Sequence, residues 1–175
     1  MKPVMWIFAY GSLIFRPGFC YVERRRAFVK GWSRRFWQAS PDHRGVPEAP
    51  GCVVTLLSDP DDHCGGCAFL IDPAHAEGVL EAIDTREQAG FTRQQLALLP
   101  APGEQPFAHG ITWVAAPDNP HFLGPLPEPA IAEIIAARTG PSGPNRDYAL
   151  QLFHALRDLD IVDSHVETII RLLAK

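Results

Sequence analysis

The sequence predicts an α+β protein in which strands come first and helices follow. In the first two thirds of the chain, short runs of β-branched and aromatic residues are separated by Gly, Pro and Asp, as is typical of strands. In the last third, apolar residues recur three or four positions apart, as they do on one face of a helix. A chain of 175 residues can bury one substantial core. We therefore predict a single domain over residues 1–175 with a helical C-terminal third.

The composition excludes several classes of protein. Hydrophobic residues make up 46% of the chain and charged residues 21%, which is typical of a folded globular protein and not of a disordered one. No apolar run reaches the roughly 18 residues that a membrane-spanning helix needs. The N-terminus lacks the long apolar core and the cleavage site of a signal peptide. We therefore predict a cytoplasmic protein without a membrane partner.

The formal net charge of −4 conceals an asymmetry along the chain. Residues 1–50 carry +6 and the remainder carries −10. The basic residues of Arg24–Arg26 and Arg34-Arg35 form only short runs in an acidic chain, so we predict no nucleic-acid partner. A solvated surface explains these residues, and so does a positive field beside a small anionic substrate.

The four cysteines predict neither a disulfide framework nor a metal site. Cys64 and Cys67 form a C-x-x-C motif, but the chain has no second Cys/His pair at the spacing of a zinc site. A strand-like run follows Cys67, where a thioredoxin-like redox motif would have a helix. We interpret Asp59 to Gly66 as the acidic turn of a hairpin that joins strands over residues 53–57 and 67–71.

The first strand, which begins at Trp6, breaks abruptly at Gly11-Ser12. Glycine lets a ligand approach the main chain closely, and the N–H groups of Gly11, Ser12 and Leu13 can converge on one point. Such a concavity binds an anion or a carbonyl oxygen. A plain strand followed by a turn has the same short sequence, so this segment alone leaves both interpretations open.

The remaining elements follow from periodicity and from turn residues. Three prolines and two glycines make the segment from Ser40 to Gly51 a loop, and Pro100–Pro106 separates two later strands. The predicted strands are Gly31–Gln38, Thr92–Leu99 and His109–Ala115. The predicted helices run from Pro73 to Glu81, around Ile131–Ile135, over Arg146–Leu159 and from a cap at Asp163-Ser164.

Glu87 is the strongest candidate for acid–base chemistry. It follows an apolar helical segment and precedes Gly90. A carboxyl group in a poorly hydrated pocket has a raised pKa and becomes a usable base near neutral pH. A solvated Glu paired with Arg86 is the alternative. The seven histidines show no metal-binding spacing, and Ser12 lacks the G-x-S-x-G surroundings of a nucleophile.

Five segments, in order, resemble the ChaC branch of the γ-glutamylcyclotransferases, which is specific for glutathione. The resemblance covers residues 6 to about 160. Its segments are Phe8-Ala9-Tyr10-Gly11-Ser12-Leu13-Ile14, residues 33–47 with Ser-Arg-Arg-Phe-Trp-Gln and Asp-His-Arg-Gly-Val-Pro, Asp84-Thr85-Arg86-Glu87-Gln88-Ala89-Gly90-Phe91, residues 118–125 and residues 140–148.

The resemblance implies a cofactor-free enzyme that cleaves glutathione to 5-oxoproline and cysteinylglycine. It also implies a γ-glutamylcyclotransferase-like fold, a small β-barrel with flanking helices. Glu87 matches the catalytic glutamate of the family. The residues that match its substrate-binding loop are Ala9, Tyr10, Gly11, Ser12, Leu13 and Ile14, and further candidates for substrate contact are Arg34, Arg35, Ser40, Asn145 and Tyr148.

The chain departs from the family pattern at two positions. Phe91 stands where the family usually has Tyr, and Cys52 where it usually has Arg. Two other functions stay open beside glutathione cleavage. One is a cyclotransferase for other γ-glutamyl-amines or γ-glutamyl amino acids, and the other is a non-catalytic binding module on the same fold. The sequence makes no prediction of oligomeric state.

Overall fold

The computed structural model describes residues 3–175 and shows a mixed five-stranded sheet with four α-helices. The strands of the sheet are β1 (Met5–Ala9), β2 (Glu23–Ser40), β3 (Gly51–Ile71), β4 (Phe91–Leu98) and β5 (Ala108–Ala115). The helices are α1 (Ala76–Arg86), α2 (Glu128–Ala137), α3 (Asn145–Asp158) and α4 (Ser164–Leu173). A short hairpin joins β6 (Thr139–Gly140) to β7 (Gly143–Pro144). The predicted α+β class is confirmed.

The central strand of the sheet is β1. The strand order is β2-β3-β1-β5-β4, in which β1 runs antiparallel to β3 and parallel to β5. Ile7, Phe8 and Ala9 are buried because both faces of β1 are covered. The position of β1 carries the chain directly from the core into the break at Gly11.

Within residues 3–175, the sheet does not close into the small β-barrel that the resemblance implied. The edge strands β2 and β4 approach each other only at one isolated bridge, where Phe28 and Leu99 exchange backbone hydrogen bonds of 2.8 and 2.9 Å. A closed barrel needs a continuous ladder between its first and last strands. The sheet therefore curls strongly but stays open.

The predicted hairpin over residues 53–71 is wrong, because β3 is one strand of 21 residues. The acidic segment bulges out of the strand instead of reversing it: β2 pairs Trp32 with Ser58 and Lys30 with His63, so the intervening residues of β3 face only Gly31. Gly31 has φ +86°, a conformation that favours glycine. Local composition indicated a turn, but the residues on both sides of the acidic segment pair with the long β2 and so keep it within one strand.

This strand also determines the surroundings of the C-x-x-C motif. Cys64 and Cys67 are three residues apart in a strand, so their side chains lie on opposite faces. Both thiols are free and buried, and burial raises the pKa of Cys64 to about 11.

The helices pack their apolar faces against the sheet and against one another. The buried residues include Ile83 on α1, Ile131 on α2, Leu152 on α3 and Ile169 on α4. Helix α1 begins three residues after the predicted start at Pro73 and ends five residues later than predicted. The cap of α4 has the predicted form, in which Asp163 accepts the N–H of Val166 at 3.1 Å. The longest helix among residues 3–175 has 14 residues, and none of them has both the length and the apolarity to cross a membrane.

Candidate active site

A cavity of about 330 Å³ lies where the end of β1, the loop over residues 41–50, the end of α1 and the start of α3 meet. This volume falls in the range of small-molecule sites. Its lining combines apolar residues with converging charged groups. The polar and charged members are Tyr10, Ser12, Arg16, Ser40, Asp42, His43, Arg44, Arg86, Glu87, Thr112, Ser142 and Tyr148.

The segment of residues 9–14, here called the Gly11 loop, presents backbone N–H groups to this cavity. A 3₁₀ helix spans Ser12–Ile14, and its first N–H groups have no intrahelical acceptor. Within residues 3–175, the N–H groups of Gly11, Ser12 and Leu13 have no hydrogen-bond acceptor. They form a set of donors that is available to a ligand.

Gly11 is needed here for space. Its φ of −132° is accessible to any residue. A Cβ atom at this position would lie 3.0 Å from Cγ2 of Val54 and 3.2 Å from the hydroxyl oxygen of Tyr148. A side chain would therefore force the loop, or the side chains of Val54 and Tyr148, to shift.

Buried hydrogen bonds hold the Gly11 loop from behind. Arg34 is fully buried, donates from Nε to the carbonyl of Tyr10 at 2.9 Å and pairs with Asp163 at 2.8 Å. A third hydrogen bond of this guanidinium goes to the carbonyl of Gly65. The hydroxyl of Tyr10 donates to the carbonyl of Trp113 at 2.6 Å. Arg34 therefore contacts the back of the loop and lies outside the cavity lining.

Glu87 lies at the C-terminal end of α1, where its own N–H still donates to Ile83 at 2.8 Å. Its side chain is 17% exposed and faces the cavity. Burial raises the pKa of Glu87, while the positive charge of Arg86 partly opposes that rise. The negative end of the α1 dipole also disfavours the carboxylate. Glu87 therefore has the properties of a base that takes up a proton readily.

Arg86 connects Glu87 to the Gly11 loop. Its Nε lies 3.9 Å from Oε1 of Glu87, and its two terminal nitrogens donate to Oγ of Ser12 at 2.9 Å and to the carbonyl of Arg16 at 2.7 Å. On the other side, Nε2 of His43 donates to the carbonyl of Arg86 at 3.1 Å. Because a carbonyl only accepts, this contact places a proton on Nε2.

Two residues at the start of α3 complete the wall of the cavity. Asn145 is buried, and its side-chain amide accepts from and donates to the backbone of Cys52 at 2.7 and 2.9 Å. The hydroxyl oxygen of Tyr148 accepts the N–H of Val54 at 3.2 Å. Burial raises the pKa of Tyr148, so its hydroxyl keeps its proton and can donate it to a ligand.

The structure brings most of the predicted site residues to the cavity and places four elsewhere. Those that line it are Ala9, Tyr10, Gly11, Ser12, Leu13, Ser40, Glu87 and Tyr148. Ile14, Arg34, Arg35 and Asn145 lie outside the lining. Ile14 is buried in the core, and Nη1 of Arg35 donates to a backbone carbonyl at 2.7 Å. Arg34 and Asn145 support the backbone of the wall.

Sequence reasoning missed several lining residues. It gave no role at the site to Arg16, Asp42, His43 or Arg44. Three of these belong to the polar loop after β2, and an unusually charged loop between two strands was the available signal. The two departures from the family pattern differ in position. Phe91 lines the cavity, whereas Cys52 is buried outside it and donates its thiol to the carbonyl of Phe36.

The arrangement is suited to binding a carbonyl compound and moving a proton. The N–H donors can stabilise negative charge on a carbonyl oxygen, and Glu87 can accept a proton nearby. The residues from 3 to 175 contain no group of three His, Cys, Asp or Glu side chains placed to hold a metal ion.

Comparison with known proteins gives consistent matches over almost the whole chain. The model of the "ChaC-like protein" family matches residues 5–175. The human protein named glutathione-specific gamma-glutamylcyclotransferase 1 is 39% identical over 170 residues, which cover 95% of this chain and 77% of the human one. The Arabidopsis thaliana gamma-glutamylcyclotransferase 2-3 is 39% identical over 173 residues, which cover 93% and 84% of the two chains.

A solved structure agrees with these sequence matches. The crystal structure of a yeast γ-glutamyl cyclotransferase specific to glutathione superimposes with a TM-score of 0.91 at 28% identity. The superposition covers 99% of this chain and 96% of the yeast chain.

Proposed function

Because this chain belongs to the ChaC family, we propose that it is a glutathione-specific γ-glutamylcyclotransferase, which cleaves glutathione to 5-oxo-L-proline and L-cysteinylglycine. One observation carries the proposed site. The carboxyl group of Glu87, with its raised pKa, faces the same cavity as the unpaired N–H groups of the Gly11 loop.

The reaction needs no nucleophile from the protein. The α-amine of the γ-glutamyl residue attacks its own γ-carbonyl carbon, a C–N bond closes a five-membered ring, and the bond to the cysteinyl nitrogen breaks. An α-amine has a pKa of about 8, so it is mostly protonated at neutral pH and cannot attack until a base removes its proton. Glu87 takes this proton before the attack, and the ring nitrogen loses a second proton when the C–N bond has formed. The departing cysteinyl nitrogen takes up two protons and leaves as an ammonium group, one of them from Glu87, so protons balance over the cycle.

The Gly11 loop stabilises the charge that develops on the γ-carbonyl oxygen. Donors that are already oriented are more effective than water, and one of them typically contributes about 3 kcal/mol to the transition state. Tyr148 adds a hydroxyl donor beside Gly11. A γ-glutamyl chain held bent between this loop and Glu87 also loses most of the entropic barrier to ring closure.

The remaining predicted residues have supporting roles in this proposal. Ser40 accepts the N–H of Arg44 at 2.9 Å and so holds the loop over residues 41–50, while Arg34 and Asn145 fix the wall from behind. The single-domain organisation over residues 1–175 and the cytoplasmic location stay predictions that accompany the proposal.

Incubation with glutathione tests the function. The purified protein should release 5-oxoproline and cysteinylglycine in equal amounts, measured by chromatography, and other γ-glutamyl donors should react more slowly. Glutamate in place of 5-oxoproline would mean that water attacks, and would contradict the intramolecular mechanism. Faster turnover of γ-glutamyl-amines would overturn the substrate assignment, and no product from any donor would favour a binding module.

A further inference from the structure

Arg44 is a buried cation that is not neutralised within the part of the chain that the structure describes. The residue is only 4% exposed, and it lines the cavity. Its Nη1 donates a hydrogen bond to the carbonyl of Pro144 at 3.2 Å, and its guanidinium lies 5.6 Å from the centre of the Tyr148 ring. No residue in 3–175 forms an ion pair with it, and Asp147 acts on it only at longer range.

The other buried or half-buried arginines of this region are paired. Arg34 has Asp163 at 2.8 Å, and Arg86 has Glu87 and the hydroxyl of Ser12. Arg44 instead has Arg16 and Arg86 as charged neighbours on the cavity, and burial together with these like charges lowers the pKa of Arg44. A buried charge without a partner is costly, and a second positive charge beside it raises the cost further. An anion bound between the guanidinium groups of Arg16 and Arg44 would remove this electrostatic cost.

Neither Arg16 nor Arg44 is paired with the base; the arginine beside Glu87 is Arg86, which also donates to the carbonyl of Arg16. Nε of Arg86 lies 3.9 Å from Glu87, whereas Arg44 forms no ion pair with Glu87. Arg44 therefore lies further from the base than Arg86 does. The α-carboxylate of a γ-glutamyl group is bonded to the carbon that carries the attacking amine, so it must stay near Glu87. An anionic group bound by Arg16 and Arg44 would therefore be a second anionic group of the ligand, further from Glu87 than the α-carboxylate.

We propose that Arg16 and Arg44 form the subsite for the C-terminal carboxylate of the peptide substrate, which in glutathione is the glycyl carboxylate. This inference rests on the proposed function, because it assigns the far end of the substrate of that same site. A guanidinium offers five N–H donors in a planar fork, which matches a carboxylate. The pair selects γ-glutamyl peptides that end in a free carboxylate over neutral γ-glutamyl-amines.

The test compares two substrates that differ only at this carboxylate: glutathione and its glycyl monoethyl ester. A hydrogen bond to a charged group contributes enough binding free energy that its loss weakens affinity by about tenfold or more. For the unmodified protein, kcat/KM for glutathione should exceed that for the ester by about this factor, mainly through KM. Arg44→Gln and Arg16→Gln should reduce this preference towards unity, because they lower kcat/KM for glutathione more than kcat/KM for the ester.

Controls separate the subsite from general damage. Arg171→Gln removes an exposed arginine on α4, so it should keep the preference of the unmodified protein. If Arg44→Gln does not fold, the subsite can still be tested with Arg16→Gln, since Arg16 is exposed, and with the two substrates on the unmodified protein. Equal KM values for the two substrates, or variants that keep the full preference, would overturn the subsite.

Failure of the proposed function gives a different result. In that case the unmodified protein forms no 5-oxoproline from either substrate. Calorimetric titration with glutathione and with the ester then measures binding at the subsite independently of catalysis. Tighter binding of glutathione, lost in Arg16→Gln, would support the carboxylate subsite without catalysis. Equal binding of the two ligands would refute it.

Discussion

Replacing Glu87 by Gln removes the proposed base while keeping the size of the side chain. General-base catalysis typically contributes a factor of about 10² to 10⁴, so kcat with glutathione should fall by about that factor. This corresponds to about 3 to 5 kcal/mol of activation free energy. KM should change much less, because the amide still fills the same volume.

The structure predicts that this loss of activity is not a loss of folding. The pKa of Glu87 is raised in the folded state, so ionised Glu87 lowers stability as the pH rises from about 4.5 through its folded value, and a neutral Gln removes that cost. Against this, Arg86 loses a partner at 3.9 Å but keeps its contacts with Ser12 and the backbone of Arg16, so the loss is below about 1 kcal/mol. The unfolding temperature should therefore stay within about 4 °C.

The assay measures 5-oxoproline release at saturating glutathione beside a thermal unfolding curve. Glu81→Gln is the matched control, because Glu81 is an exposed glutamate on the same helix outside the cavity. It should leave both readouts unchanged. A folded Glu87→Gln protein that retains more than about a tenth of the activity would refute the role of Glu87 as the base.

Three further predictions concern the pH profile, the Gly11 loop and the wall behind it. The acid limb of kcat/KM should have an apparent pKa above about 4.5, because burial disfavours the carboxylate that accepts the proton, and the same limb in Glu87→Gln would contradict this origin. Gly11→Ala should lower kcat by about 100-fold, because its Cβ displaces the donors, whereas Gly78→Ala, with open space around its Cβ, should not; equal activities would count against the loop. Asn145→Ala leaves two buried backbone groups of Cys52 unpaired and should lower the free energy of unfolding by about 2 to 4 kcal/mol in denaturant titration. A change below about 0.5 kcal/mol would argue against a stabilising role of the two hydrogen bonds between Asn145 and Cys52.

The elements that the sequence predicted depend on interactions between residues close together in the chain, and those that it missed depend on interactions over longer range. Alternating or helical apolar patterns and turn residues are local, and they predicted β1, the loop after Ser40 and the cap of α4 at Asp163. The continuous β3 was missed, because its acidic segment is a turn by composition, and only the pairing of the residues on both sides of it with β2 keeps it within one strand. Strand pairing depends on the whole sheet and overrides such local preferences.

The sequence by itself determined the α+β class, the family and the residue types available for chemistry, because these follow from local pattern and from motifs read along the chain. Only the tertiary structure decided which side chains meet. It turns Arg34 to the back of the Gly11 loop, whereas Arg44, ten residues later, lies on the cavity near Arg16. The sequence does not separate the roles of these two arginines, one in β2 and the other in the loop that follows it. Both are buried, and only Arg34 is paired with a carboxylate, that of Asp163, from a residue far away in the chain.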